Sequence, residues 1–195
     1  KHGVEFDNGV SLTLMYRKPV TTFNQKAEAL YQQNVLSVME EVCHKEDERI
    51  DLVIFLNGIA IFTFELKCNT SGQNYEDAIR QYKFERDYKT RLLKFKAGCL
   101  AHFAMDLNEV YMCTNLKGKS SFFLPFNKGC GGGIHSGKGN PHNENGINVS
   151  YMWEDILKKD TVLYLIDKII FLQKETKKDP DTGKRVTKET LIFPR

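Results

Sequence analysis

Residues 50–67 read IDLVIFLNGIAIFTFELK, two apolar runs separated by Asn57-Gly58. Both of these residues tolerate positive φ, and Asn-Gly between apolar runs is the strongest short-range signal of a β-hairpin. The sequence therefore predicts strands over residues 51–56 and 59–67, joined by a tight turn.

Charged residues stand at the open end of this hairpin. Asp51 begins the first run, and Glu65 and Lys67 end the second. Residues two apart in a strand share a face, so Glu65 and Lys67 point the same way while Leu66 turns into the core. Two carboxylates beside a lysine suit Mg2+, which takes oxygen ligands and leaves positions for water and phosphate. Spacing alone leaves open the alternative that these are ordinary charges at strand ends.

The register of the hairpin decides whether Asp51 joins the other two residues. A two-residue turn sets Asp51 opposite Phe64, on the face away from Glu65. A three-residue turn, or a β-bulge that adds one residue to a strand, returns Asp51 to the face of Glu65 and Lys67. A joint site therefore requires one of these two irregularities.

The apolar pattern on both sides of the hairpin predicts further strands and helices, so the hairpin is part of a larger sheet. Strands are predicted over residues 34–44, 99–105 and 109–114, with edge strands over 8–16 and 122–126. Helices are predicted over 24–33 (capped by Asn24), 75–93, 151–157 and 161–174, the last two packed through Trp153, Tyr164 and Phe171. The fold class is α/β, with a mixed central β-sheet flanked by helices.

Length and composition indicate one globular domain. The chain has 195 residues, and 41% of them are hydrophobic. We expect one domain over residues 1–174, with its core over 24–115 and a glycine-rich loop over 128–146. Residues 175–195 are rich in charge around an Asp-Pro-Asp-Thr-Gly turn signal, which predicts an exposed hairpin or linker.

Cysteine usage and charge limit the compartment and the partners. Five cysteines without a CxxC pair favour free thiols and a cytoplasmic protein. No apolar run approaches the roughly 18 residues that a membrane span needs, and no signal peptide is visible, so we expect no membrane partner. The net charge of +3 is too small to indicate nucleic-acid binding by itself.

Asp51, Glu65 and Lys67 resemble the PD-(D/E)XK nuclease pattern. The residues around them are similar to the N-terminal nuclease domain of the R (restriction) subunit of type I restriction-modification enzymes. The similarity continues in order through residues 76–82, 100–104, 109–112, 123–127, 179–184 and 191–195. It covers nearly the whole chain and implies a restriction-endonuclease-like core.

The resemblance also implies roles for single residues. Asp51, Glu65 and the backbone carbonyl of Leu66 would bind Mg2+, for which Mn2+ can substitute, and Lys67 would orient the attacking water. Gln81 fits the glutamine of a QxxxY motif, but the tyrosine position holds Glu85, and the nearest tyrosines are Tyr82 and Tyr88. The residues expected to contact DNA are Gln81, Arg80, Tyr82 and Arg86, and Glu28 is a candidate for an additional acid upstream.

For the whole enzyme, the resemblance implies Mg2+-dependent cleavage of double-stranded DNA. Cutting would be independent of sequence and would follow ATP-driven translocation by a motor C-terminal to this chain, so ATP would act only there. The specificity and methylation subunits of the restriction complex would be the protein partners. Two alternatives are a non-catalytic DNA-binding or scaffolding module on a nuclease fold, and a repair or anti-phage nuclease of the same superfamily.

Overall fold

A computed structural model describes residues 4–5, 7, 9–21, 23–130, 138–178, 183 and 185–194. The strands and helices in chain order are β1 (Val4–Glu5), β2 (Ser11–Leu12), α1 (Gln25–Gln32), β3 (Leu36–Lys45), β4 (Glu48–Leu56), β5 (Ile59–Leu66), α2 (Tyr75–Arg80), β6 (Ala101–Met105), β7 (Val110–Cys113), β8 (Leu124–Pro125), α3 (Lys159–Tyr164), β9 (Phe171–Lys178) and β10 (Arg185–Ile192). A 3₁₀ turn covers Asn69–Ser71, and π-helical turns cover Gln81–Glu85, Met152–Ile156 and Leu165–Ile169.

The centre of the molecule is a six-stranded sheet in the order β3-β4-β5-β6-β7-β8. All neighbouring strands are antiparallel except β5 and β6, which run parallel and are connected through α2. The sheet is therefore mixed and flanked by helices, as predicted, and it is compatible with an α/β restriction-endonuclease-like fold. β8 is the short edge strand that residues 122–126 predicted.

The β4–β5 hairpin contains both the predicted turn and a bulge. Asn57 and Gly58 have φ of 50° and 83°, so the turn has two residues in the left-handed region. Phe55 pairs with Ala60, whereas Ile54 pairs with Phe62, which leaves Ile61 as an extra residue in β5. Because of this bulge, the consecutive residues Ile61 and Phe62 both enter the same hydrophobic core.

Hydrophobic cores cover both faces of the sheet. One core is rich in aromatic rings, and Phe64 and Phe103 stack there with ring centroids 4.9 Å apart. The other core lies under α2 and includes Val53, Ala78 and Tyr82. Asn74 caps the start of α2 in a capping box, in which the Asn74 side chain and the Asp77 side chain each accept a backbone N–H. The central strands are thus buried from both sides.

The helix predicted over residues 75–93 is too long. α2 and its π turn end at Glu85, and Arg86 is extended, with φ of −106° and ψ of 132°. Tertiary contacts stop the helix, since the backbone N–H of Asp87 donates to Glu48 at 2.8 Å and the Arg86 side chain turns inward. The residues after Glu85 form a series of turns instead of a helix, and Leu93 in this segment is buried.

The helix predicted over residues 161–174 is also wrong at its end, because β9 begins at Phe171. Trp153, Tyr164 and Phe171 were expected to pack, yet each is about half exposed. Trp153 lies within the π turn Met152–Ile156, Phe171 lies in β9 after the π turn Leu165–Ile169, and Tyr164 lies on the exposed side of α3. Val162 and Leu163 are the buried residues of α3.

The strands near both ends of the chain have different bounds from those predicted. The edge strand predicted over residues 8–16 is reduced to β2, which pairs with β1 and not with the central sheet. The C-terminal hairpin β9–β10 is present, and it starts earlier than residue 175. Phe193 after it packs against Phe62, Phe103 and Phe126 in the aromatic core. Parts of the predicted loop and of the hairpin turn, residues 131–137, 179–182 and 184, lie outside the described residues.

Two further expectations concern thiols and membranes. All five cysteines are free, as predicted. Within the described part of the chain, the helices are too short and too polar for any of them to span a bilayer.

Candidate active site

The open end of the β4–β5 hairpin brings Asp51 and Glu65 together. Leu52 pairs with Phe64, and continuing this register by one pair sets Asp51 opposite Glu65. The backbone N–H of Leu66 donates to Asp51 Oδ2 at 2.7 Å, which holds the Asp51 carboxylate against the end of β5. The bulge at Ile61 is the reason for this alignment, because a two-residue turn alone would have turned Asp51 away. The requirement derived from the sequence is therefore met by a bulge.

Glu65 is buried and ion-paired. Its side chain is 0% exposed, and Arg86 donates to both carboxylate oxygens, from Nε to Oε1 at 2.7 Å and from Nη2 to Oε2 at 3.3 Å. Burial raises the pKa of Glu65 to about 8; the hydrogen bond from Arg86 opposes this rise, and the negative charge of Asp51 adds to it. Burial and Asp51 therefore favour the protonated form of Glu65, and the positive charges of Arg86 and Lys67 favour the ionised form.

Lys67 provides further positive charge next to Glu65. It follows β5 directly, its backbone N–H donates to the Met105 carbonyl at 2.9 Å, and its side chain is partly buried. The charge of Lys67 lowers the pKa of Glu65. Among the described residues, no hydrogen bond or ion pair engages the Lys67 ammonium, which leaves it available to a water or a substrate.

Asp51 and Arg86 line an open cleft of about 460 Å³, whereas Glu65 and Lys67 are not among its lining residues. Asp51, Gln81 and Arg86 form one part of its lining, and the rest comes from Glu41, Cys43, Asp47 and Arg49. Gln81 lies in the π turn after α2, and its Oε1 atom is buried without a hydrogen-bond partner among the described residues. A π turn within a helix is frequently a functional feature, and here it places Gln81 beside Asp51.

The other predicted DNA contacts have different surroundings. Arg80 is exposed, with its guanidinium 3.8 Å from Asp77. Tyr82 is fully buried, and its hydroxyl lies 2.8 Å from Thr63 Oγ1 in the core. The structure therefore does not bring Tyr82 to the cleft, which fits a structural role rather than the predicted DNA contact. Tyr88 packs beside Gly118.

Glu28 does not reach this site. It lies in α1, where its carboxylate accepts a hydrogen bond from Gln32 at 2.6 Å, and it is not among the residues that line the cleft. The expectation of an additional acid at Glu28 is therefore not met.

The sequence did not indicate the outer part of the cleft. Glu41 lies in β3 with φ of 51°, and Asp47 lies in the β3–β4 turn with φ of 61°. Non-glycine residues with positive φ are uncommon and cluster at functional sites, but this conformation leaves no mark in the sequence. The partnership of Arg86 with Glu65 was also missed, because it depends on where the helix ends. Among the described residues, no group of three or more His, Cys, Asp or Glu side chains is arranged to hold a metal ion.

A family model described as the type I restriction enzyme R protein N terminus matches residues 14–121 of the chain. The chain belongs to this family. The match covers more than half of the chain and includes Asp51, Glu65, Lys67 and Gln81. A search of curated proteins found no match.

Membership assigns the described fold to the N-terminal, nuclease region of the type I restriction enzyme R subunit. The match confirms the resemblance over residues 14–121, and it begins before α1 and ends between β7 and β8. The cleft of this R subunit region lies entirely within the matched residues, whereas hairpin β9–β10 lies beyond them.

Proposed function

We propose that this chain is a Mg2+-dependent endonuclease domain that hydrolyses phosphodiester bonds of double-stranded DNA as part of a type I restriction enzyme. One observation supports this proposal above the others: the bulge sets Asp51 opposite Glu65 with Lys67 beside them, in a chain that belongs to the R subunit family. The two carboxylates and the lysine are the residues that the resemblance to PD-(D/E)XK nucleases assigned to catalysis.

The residues present fit a hard divalent cation. The donors are all oxygen, from Asp51, Glu65 and the Leu66 carbonyl, which is the ligand type that Mg2+ and Mn2+ prefer. Glu65 is buried and lies beside a second carboxylate, so it requires a positive partner. When bound, the cation would lower the pKa of a water and stabilise negative charge on the scissile phosphate.

The protein side chains then have separate tasks. Lys67 orients the attacking water by donating a hydrogen bond from its ammonium, which has no partner among the described residues, and its charge stabilises the hydroxide as the proton leaves to solvent. Gln81 lines the cleft with an unpartnered amide oxygen that can accept a hydrogen bond from the attacking water, and its amide NH2 can donate to a phosphate oxygen. Arg80 and Arg86 supply positive charge to DNA phosphates, for which the planar guanidinium is well suited.

The same proposal includes the assembly in which cleavage takes place. DNA recognition is delegated to the specificity and methylation subunits, and cutting follows translocation by the ATP-driven motor of the R subunit. The net charge of +3 supports this arrangement, because a domain with so little excess charge neutralises few phosphates and depends on the larger complex to hold DNA.

Titration of the chain with Mn2+ tests the metal site directly, and cleavage of a circular plasmid by the restriction complex tests the chemistry. We expect Mn2+ to bind the unmodified chain, and we expect Asp51→Asn to abolish both binding and cleavage. Lys89→Gln, an exposed charge change outside the cleft, is the matched control and should retain both. Cleavage by Asp51→Asn at the rate of the control would refute the proposal.

A further inference from the structure

Arg86 occupies the atoms of Glu65 that a metal ion would need. Its guanidinium donates to both carboxylate oxygens, at 2.7 and 3.3 Å, and its side chain is only 11% exposed. The contact therefore has two points and is largely shielded from water, which is the strong form of an arginine–carboxylate pair. Asp51, the other carboxylate of the pair, has no such partner and bonds a backbone N–H instead.

A buried carboxylate needs one positive partner, and two partners compete for it. Burying an ionised carboxylate alone is very costly, so Glu65 is stabilised by whichever cation lies against it. A guanidinium and a divalent cation on the same two oxygens would repel each other strongly in a site of low dielectric. Full occupancy of Glu65 by Arg86 and coordination of a metal by Glu65 are therefore mutually opposed.

The local backbone allows this exchange without refolding. The N–H of Arg86 donates to the Gln81 carbonyl at 3.1 Å, and the next residue, Asp87, donates to Glu48 at 2.8 Å. The backbone on both sides of the side chain is thus fixed. Only the long, flexible arginine side chain has to rotate, and Arg86 already lines the cleft into which it would turn.

We propose that Arg86 is an exchangeable counter-ion of Glu65, which holds the carboxylate in the metal-free domain and releases it when a divalent cation binds. The identity of that cation as Mg2+ rests on the proposed function. After release, the guanidinium stays at the wall of the cleft, where a DNA phosphate is the bidentate partner that its planar donors fit.

Isothermal titration with Mn2+ at fixed pH and ionic strength tests the exchange on the whole chain. Arg86→Gln removes the competing cation, and we expect it to bind Mn2+ about tenfold more tightly than the unmodified chain, because a charged hydrogen-bonded pair no longer has to be broken. Arg91→Gln is the matched control, since it makes the same charge change at an exposed residue that does not line this cleft. Its Mn2+ affinity should stay within about twofold of the unmodified chain, because exposed charges are screened.

Thermal unfolding provides a second readout that does not depend on activity. In EDTA, Arg86→Gln should melt below the unmodified chain, since Glu65 loses its partner, and Mn2+ should raise its melting temperature by more than it raises that of the unmodified chain. If Arg86→Gln does not fold, Arg86→Lys replaces it. A lysine keeps the charge but loses the two-point contact, so its Mn2+ affinity should lie above that of the unmodified chain.

Two results would overturn the exchange. One is an Arg86 variant that binds Mn2+ no more tightly than the unmodified chain, and the other is an equal gain in Arg91→Gln, which would indicate a general charge effect. Failure of the proposed function has a different signature. In that case neither the unmodified chain nor the Arg86 variant would bind Mn2+ at all.

Discussion

β5 presents two buried polar residues on one face, two positions apart, and their surroundings are opposite in kind. Thr63 Oγ1 lies 2.8 Å from the Tyr82 hydroxyl and 2.8 Å from His102 Nδ1, and all three residues are inside the core. Glu65 is equally buried, but its partner is the charged Arg86 and its neighbour Asp51 lines an open cleft. The Thr63 network is neutral and closed, whereas the Glu65 network is charged and adjoins solvent.

The comparison shows that burial alone does not distinguish structural from functional polar groups. Burial lowers the pKa of His102 to about 3, so His102 stays neutral and its hydrogen bonds are a permanent part of the core. Burial raises the pKa of Glu65 to about 8, and positive charge from Arg86 and Lys67 opposes that rise. A group whose ionisation depends on exchangeable partners is the one that can respond to a ligand.

The largest expected effect separates the two networks by function. Lys67→Ala in the restriction complex should reduce DNA cleavage by about 10² to 10⁴-fold, the usual contribution of a positioned acid–base group, and leave ATP hydrolysis intact. Plasmid cleavage and ATPase assays on the same preparation measure both. Loss of ATPase together with cleavage would show that Lys67 acts structurally or couples the domains.

Thr63→Val should have the complementary effect, on stability. The substitution leaves the Tyr82 hydroxyl and His102 Nδ1 without their shared partner, and buried groups left unpaired cost about 1–3 kcal/mol each. Urea denaturation should show a loss of about 2 kcal/mol or more, while Mn2+ affinity stays unchanged. Thr70→Val, at an exposed threonine, is the control and should have little effect. A change in Mn2+ affinity in Thr63→Val would mean that the two networks are coupled.

The pH dependence of stability should have opposite signs in the two networks. The pKa of His102 is lower in the folded chain than its ordinary value of 6.5. Its contribution to the free energy of unfolding is therefore fully present above pH 6.5 and decreases as pH falls. At pH 5 the loss should be about 2 kcal/mol. The pKa of Glu65 is raised from 4.5 to about 8. Without metal, the contribution of Glu65 to the free energy of unfolding is therefore lost as pH rises through that interval.

Variants of His102 and Glu65 separate the two pH dependences of stability. Unfolding free energies between pH 5 and 8 in EDTA should give a difference between the unmodified chain and His102→Asn that increases with pH. The corresponding difference for Glu65→Gln should decrease with pH. Two differences of the same sign would refute the contrast between the networks.

The smallest effect is expected at the exposed rim. Arg80 is 65% exposed and 3.8 Å from Asp77, so Arg80→Ala should change stability by less than about 0.5 kcal/mol. If Arg80 contacts a phosphate, the slope of log K against log salt for DNA binding should become shallower by about 1. For the unmodified chain this slope should be no steeper than about −6, because the net charge is only +3. An unchanged slope in Arg80→Ala would exclude that contact.

Local signals in the sequence accounted for the centre of the fold. Asn57-Gly58 identified the hairpin turn, and short continuous apolar runs identified the strands on either side, because both signals act over a few residues. The turn chemistry also showed that Asp51 could meet Glu65 only with an irregularity. Which irregularity occurs depends on how Ile61 and Phe62 both fit the core, and this is decided by packing across the sheet.

The parts that the sequence missed depend on contacts distant along the chain. The end of the π turn after α2, at Glu85, is fixed by Glu48 and Glu65, which lie on other strands, so no capping signal marks it. The partnership of Arg86 with Glu65 follows from that end. The π turns and the start of β9 were missed in the same way, and Trp153, which lies in a π turn, and Phe171, which lies in β9, are about half exposed.

The bulge at Ile61 sets a rule for insertions and deletions in this hairpin. Removing one residue between Asp51 and Glu65 without other change would restore the simple register and move Asp51 to the opposite face of the sheet. Removing or adding two residues would keep Asp51 and Glu65 on one face. Homologous chains that use both carboxylates should therefore differ in length here by even numbers, or by one residue accompanied by the gain or loss of a bulge.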